Sequence, residues 1–248
     1  MSKEICDKKA MGSGAQEHGI EGNFVIVIGR QFGSGGRAVG KLIASRLNIG
    51  FYDTELLKKA AESEGIDPKI FEEHEEKKPN ILKHLLQGAY GIADNFHPLP
   101  LSSERIYNLQ SKLIRDICEK QSCVIVGRNA DFILKEHPRM LSVFLHAPVN
   151  HRVERILKRH EAVNQEAAGS LARQHDKRRE LYYNYYTGDK KWGLAENYHL
   201  SIDTSILDNE QTASLIIETA KKKFSRNEVC RSASSGEESP GNKGQYTF

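Results

Sequence analysis

Twelve residues, Gly29-Arg30-Gln31-Phe32-Gly33-Ser34-Gly35-Gly36-Arg37-Ala38-Val39-Gly40, carry the clearest chemistry in the chain. Their glycines let the backbone take positive φ and approach a ligand closely. The N–H groups that open a following helix have no helical partner and sit at its positive dipole end. Phosphate is the natural guest of such a turn. Arg30, Gly33, Ser34, Gly35, Gly36, Arg37 and Ala38 are therefore the expected phosphate-binding residues.

Two motifs overlap in this run. One is the phosphate loop G-x-x-x-x-G-K-[ST], against which Arg30 stands for the first Gly, Gly36 for the Lys and Arg37 for the Ser/Thr. The other is a dinucleotide fingerprint, G-x-G-x-x-A over Gly33 to Ala38, with Asp53 about the right distance onward for a ribose. Arg30, Gln31 and Phe32 intervene between the strand and Gly33, which suits the wider loop that wraps a phosphate chain. A guanidinium binds phosphate well, so Arg30 or Arg37 is expected to restore the missing lysine's charge, and loss of Arg37 to weaken phosphate binding.

Further candidates lie downstream. Asp53 ends the short Phe51-Tyr52-Asp53 stretch, where it can face a ligand, cap the next helix, or both. Arg128 and Asp131 follow the apolar strand Cys123-Val124-Ile125-Val126 at its carboxyl end, the ligand edge of an α/β sheet. Arg152, Arg155 and Arg159 share one helical face, and Arg173, Lys177, Arg178 and Arg179 follow on the next helical stretch. Phosphoryl transfer must neutralise charge on the moving group, so two arginine-rich helices after a phosphate loop point to that chemistry. Arg37, Arg155 and Arg179 are the expected catalytic cations. Tyr182, Tyr183, Tyr185 and Tyr186 read as anchors for these helices, with base stacking as the alternative. His74, His84 and His97 share no metal-ligand spacing, and Glu72-Glu73-His74-Glu75-Glu76 reads as a solvated helix face, so no metal ligands are assigned.

The elements that must position these groups alternate between strand and helix. Phe24 to Ile28 reads as a strand, and Val39, Leu42, Ile43 and Leu47 mark a helix from about Arg37, closed by Asn48 and Gly50. Residues 54–122 are mostly helical in pattern and too long for a simple crossover, which predicts a helical insertion ending in the amphipathic stretch Ser103 to Cys118. Strands follow at Cys123 to Val126, Leu141 to His146 and Tyr198 to Ile202, with a helix after Ala147-Pro148. Asp208 and Gln211 open a last helix, ending near Phe224, as a capping box does. Residues 1–23 read as a flexible extension and 225–248 as a disordered tail.

The 248 residues allow one α/β domain with a sizeable core. A net charge of +3 gives no global pull toward nucleic acid or membrane, so small molecules are the expected partners, with the oligomeric state left open. Cys6, Cys118, Cys123 and Cys230 form no disulfide framework or C-x-x-C pair, as expected of free thiols in a reducing compartment. No apolar run approaches the roughly eighteen residues a membrane span needs, and a cytoplasmic location is expected.

Over roughly residues 23–224 the chain resembles the cytidylate kinase-like family of P-loop nucleoside monophosphate kinases. The resemblance is carried by Arg30 to Arg37 with its helix, Phe51-Tyr52-Asp53, Val124-Ile125-Val126-Gly127-Arg128 and the segment from Gly188 to Trp192. It implies a P-loop three-layer α/β fold with a five-stranded parallel sheet, a helical NMP-binding insertion at about 54–122 and an arginine-bearing lid at about 160–195. It also implies ATP and Mg²⁺ as cofactors and γ-phosphoryl transfer to CMP, dCMP or a related small acceptor. Gly33 to Arg37 would then hold the donor phosphates, and Asp53, Arg128, Asp131, Asp176 and Arg179 would face the acceptor, Asp176 and Arg179 matching the D-x-x-R pair of that family's lid. Val126 and Asn129 stand where that family has aspartates. A nucleotide-binding regulatory protein without turnover and a dinucleotide-dependent oxidoreductase remain alternatives.

Overall fold

In the computed structural model, residues 20–63, 65, 103–188 and 190–234 are described. The middle of the expected insertion, 66–102, lies outside them together with the 72–76 acidic run, His74, His84 and His97, as do residues 1–19, Asp189 and 235–248.

Strand β1 (Val25–Arg30) is the centre of the sheet. Its residues Val25 to Ile28 are buried on both faces, which is why the sequence there is an unbroken apolar run and not an alternating one. The chain continues through α1 (Gly36–Leu47), β2 (Gly50–Tyr52), α2 (Thr54–Ser63), α3 (Ser103–Lys120), β3 (Cys123–Val126) and the short α4 (Ala130–Ile133). Then come β4 (Met140–His146), α5 (Val149–Lys158), α6 (Gln165–Thr187), β5 (Leu200–Asp203) and α7 (Asn209–Ser234). All pairings are parallel, in the order β2-β3-β1-β4-β5, with Val27 opposite both Ile125 and Ser142.

One sheet face packs Ile26, Ile28, Val124, Val143 and Leu145 on Val39, Ile43 and Leu47 of α1 and on Ile216 and Phe224 of α7. The opposite face packs Val25, Val27 and Ile125 on Leu113, Ile114 and Ile117 of α3. A third cluster joins α5 to α6 through Val153, Ile156, Ala168 and Ala172, with Phe32 inserted from the loop after β1. The sheet therefore fixes where the strands end, and Phe32 ties the first loop to the α5–α6 pair.

Most expected boundaries hold within two residues. Asn48 closes α1 in the left-handed conformation (φ 49°, ψ 48°), its N–H bonded to Ala44 and Ser45 carbonyls. Asp208 and Gln211 exchange the two bonds of a capping box, at 2.8 and 3.1 Å.

Four expectations are corrected. The last helix reaches Ser234, not Phe224: Phe224 is the last residue of its stripe in the core, but no Gly or Pro occurs before Gly236 to stop the backbone. Ile20 belongs to the core at 3% exposure, so the ordered unit starts earlier than Asn23. The last strand begins at Leu200, because Tyr198 turns inward against Phe144, their rings 5.0 Å apart. Finally, β3 lies between β1 and β2, whereas a dinucleotide fold places its second strand beside its first. That order removes the oxidoreductase alternative.

Candidate active site

The loop Gln31–Gly35 leaves the carboxyl end of β1 and is held by its carbonyl oxygens. Ser34 N–H and Oγ both donate to Gln31 O (3.3 and 2.9 Å), and Arg152 donates to Phe32 O at 3.2 Å. Ser34 O accepts from Arg155 at 3.1 Å and from Thr204 Oγ1 at 2.8 Å. Phe32 N–H donates to Asp176 Oδ1 at 2.7 Å. Gly33 and Gly35 take φ of +83° and +89°, which reverses the chain into α1.

The N–H groups of Gln31, Phe32 and Ser34 are taken up by Leu145 O, Asp176 and Gln31 O, and those that open α1 are not. Val39 N–H is the first to find an α-helical acceptor, on Gly35 O at 3.0 Å. Among the described residues the N–H groups of Gly35, Gly36, Arg37 and Ala38 meet none. No side chain caps α1 and its first turn holds no acid, so nothing competes with an anion there.

The arginines divide by where they go. Arg152 is buried and ion-paired to Asp176. Arg155 spans Ser34 O and the Thr204 side chain and carbonyl, at 2.7–3.1 Å, joining the loop to the end of β5. Arg37 points to α2: its Nε meets Asp53 Oδ2 at 2.6 Å and its terminal nitrogen Glu55 Oε2 at 2.7 Å. Arg30, the last residue of β1, runs over Gly36, whose added Cβ would lie 2.8 Å from Arg30 Cβ, and its guanidinium covers Gly127 at the end of β3. Arg179, on α6, donates toward Arg30 O at 3.5 Å and lies 3.8 Å from Asp176.

Beyond Arg30 opens a partly enclosed cavity, bounded by the turn after β3 on one side and by α6 and Trp192 on another. Arg30, Arg128 and Arg179 bring three guanidinium groups to it. Asn129, in the left-handed region (φ 53°), is buried in its wall, and its Nδ2 meets no acceptor among the described residues. Tyr183 Oη donates to Asp131 Oδ2 at 2.8 Å. Withdrawal from bulk water pushes the Asp131 carboxyl above its ordinary range, more than that hydrogen bond pulls it down. Tyr182, Trp192 and Tyr198 supply aromatic surface.

The structure thus gathers Arg30, Arg128, Asp131 and Arg179 around one cavity, with the loop Gly33–Ala38 beside it. It holds Asp53, Asp176, Arg37 and Arg155 elsewhere. Asp53 caps α2, accepting from Leu56 N–H at 3.1 Å while it pairs with Arg37. Burial would raise its carboxyl, but the Leu56 N–H and the Arg37 guanidinium outweigh that and hold it below the ordinary range. Asp176 and Arg155 brace the loop from behind. Asn129, Trp192, Tyr198 and the loop brace Thr204 were not expected as site residues, although Asn129 stands where the family has an aspartate, Trp192 ends the resembling segment 188–192, and Tyr198 and Thr204 flank β5. Among the described residues no cluster of His, Cys, Asp and Glu is built to hold a metal.

The model of the cytidylate kinase-like family matches residues 25–206, and the chain belongs to that family. An uncharacterized protein from Eubacterium ventriosum has a similar structure, with a TM-score of 0.59 and 28% identity over 79% of this chain and 98% of that one. Shikimate kinase from Bacteroides thetaiotaomicron aligns with a TM-score of 0.43 at 13% identity, covering 84% of this chain and 99% of that one. Uronate isomerase from Corynebacterium glutamicum is 32% identical over 112 residues, 44% of this chain. The chain spans 21% of the length of that curated relative. Among the described residues no helix is long and apolar enough to cross a membrane.

Proposed function

We propose that this chain is an ATP-dependent phosphotransferase that moves the γ-phosphoryl group of ATP to a small phosphomonoester, CMP, dCMP or a related nucleoside monophosphate. One observation carries the reading: a helix start whose first N–H groups meet no acceptor among the described residues is joined through Arg30 to a cavity lined by three arginines. The first suits a phosphate chain, and the second a dianionic acceptor.

The roles follow from placement. The N–H groups from Gly35 to Ala38 bind donor phosphate oxygens. Arg128 and Asn129 donate to the acceptor, Asp131 accepts from or donates to its polar edge, and Tyr182 and Trp192 give its base an aromatic surface. An acceptor phosphate oxygen attacks the γ-phosphorus as the bond from that phosphorus to the bridging oxygen breaks, and ADP leaves with the electron pair. The attacking oxygen is already anionic, so no general base is needed. Arginines from the α5–α6 region neutralise the charge on the moving group, and the region 160–195 serves as the lid that keeps water out.

Among the described residues none builds a Mg²⁺ site of its own. Arg37 stands where a hydroxyl ligand would be, and Asp53 is committed to Arg37. A magnesium ion accompanying ATP would rely on phosphate oxygens and water.

The test is ADP formation by the purified protein with ATP and Mg²⁺ across CMP, dCMP, UMP, AMP, GMP and a control without acceptor. Acceptor-dependent ADP with one pyrimidine or purine monophosphate is the expected result. ATP binding with a flat panel would favour a nucleotide-binding regulator, the reading that Arg37 in the hydroxyl position supports; absence of ATP binding would overturn both.

A further inference from the structure

A phosphate loop of the usual pattern brings its cation from the residue after the last glycine of the turn, and here that residue is Gly36. The space its side chain would fill is not open. A Cβ on Gly36 would meet Arg30 Cβ at 2.8 Å and Cγ at 2.9 Å. The aliphatic stem of Arg30 occupies it, coming from the end of β1.

The same side chain ends against a second glycine. Gly127, at φ +83° on the turn after β3, lies directly beneath the Arg30 guanidinium, and an added Cβ would overlap it. Arg30 therefore crosses from the donor-side loop to the acceptor-side turn between two residues that lack side chains. Its position is fixed by the sheet, because it is the last paired residue of β1, opposite Leu145.

The two other arginines that touch the loop or open its helix turn elsewhere. Arg37 is turned away onto Asp53 and Glu55, and Arg155 onto Ser34 O and Thr204.

We infer that Arg30 supplies the phosphate-binding charge that the absent lysine would supply, delivered from strand β1 across Gly36 and Gly127 to the boundary between donor and acceptor. This rests on the phosphotransferase reading, and it assigns Arg30 and not Arg37 to that task. A guanidinium presents a planar fork of donors, so from that boundary it can bond an oxygen of the transferred group and one of the acceptor phosphate at once, which an ammonium does less well.

The experiment measures ATP affinity by calorimetry and acceptor-dependent turnover by ADP release, with a melting curve for every variant. Arg30→Met keeps most of the stem and removes the charge, Gly36→Lys introduces a second stem into occupied space, and Arg30→Gly with Gly36→Lys exchanges one cation for the other with the Cβ at position 30 cleared away. Arg30→Met is expected to weaken ATP binding about 10- to 100-fold, the loss of one or two charge-assisted bonds, and to lower kcat at least as much. Gly36→Lys alone should melt lower than wild type, and the exchange variant should recover at least about tenfold of the ATP affinity that Arg30→Gly loses. ATP affinity within about threefold of wild type in a folded Arg30→Met protein, or no recovery in the exchange variant, overturns the inference. If wild type binds ATP without turning it over, the affinities still decide the role of Arg30 while the kinase reading fails alone. If wild type binds no ATP, both fail.

Discussion

Replacing Asp176 with Ala should destabilise the protein by far more than an ordinary surface ion pair would. Asp176 takes the Phe32 N–H at 2.7 Å and the Arg152 guanidinium, whose side chain is only 6% exposed. Removing one partner of a buried pair leaves an uncompensated charge, a cost of about 3–5 kcal/mol. Arg152 would keep its bond to Phe32 O at 3.2 Å, which places the expected loss toward the lower end. The stranded Phe32 N–H adds back about 1 kcal/mol. The sum is about 3–4 kcal/mol, or roughly 6–16 °C in Tm for a chain of this size. Urea denaturation of the ligand-free protein measures it. The double variant Arg152→Met with Asp176→Leu should recover most of the loss, because neither charge is then buried alone. A loss below about 1 kcal/mol for Asp176→Ala, the range of an exposed pair, would refute the reasoning. So would a double variant whose cost equals the sum of the two single costs.

Arg155→Ala removes the bridge from Ser34 O to Thr204 and should weaken ATP binding about tenfold while costing about 2–3 kcal/mol of stability, read by calorimetry and urea denaturation together. A loss of turnover with affinity and stability unchanged would instead return Arg155 to a direct catalytic role. Asn129→Asp keeps side-chain shape and left-handed backbone but exchanges a donor for a charge, and should raise the acceptor KM about tenfold with ATP affinity unaltered. Equal acceptor KM in the two proteins would remove Asn129 from the acceptor site. Asp53 is held below its ordinary range, so its stabilising contribution is complete above the unfolded value of about 4 and is lost as pH falls through the folded value. Stability measured from pH 6 down to pH 3 should therefore fall more steeply in wild type than in Asp53→Asn, and parallel curves would contradict the assignment.

Strands and helices were legible because their signals are local. Val25 to Ile28 read as a buried strand from their own run, and Asp208 with Gln211 announced a cap that forms as expected. The site was legible in position more than in role. Arg128 and Asp131 follow a strand end, and the parallel sheet brings them to the cavity. The sequence could not say which arginine turns where. Arg37 sits in the loop itself and so looked like a phosphate ligand, but it is Asp53, sixteen residues away in sequence, that fixes its direction. Arg152 and Arg155 looked like a cationic face awaiting a substrate. Their partners are loop carbonyls more than a hundred residues earlier, and no periodicity reveals a carbonyl as a partner.

The three departures from the phosphate-loop pattern, Arg30, Gly36 and Arg37, are connected by one steric fact. If the cation arrives from β1, its stem must cross the first residue of α1, and any side chain at position 36 blocks it. A lysine there is then excluded on space alone, so its loss and the presence of Arg30 are a single event. The guanidinium must next lie across the turn after β3, which requires a glycine at 127. With Arg30 filling the site from the strand, a second arginine at 37 has no room at the phosphate position and finds Asp53 and Glu55 outside it. That pairing in turn consumes a carboxylate and the hydroxyl position from which a metal could have been held. Charge balance therefore shifts from a lysine and a protein-bound ion toward guanidinium groups, and the three arginines on the cavity are what that shift requires.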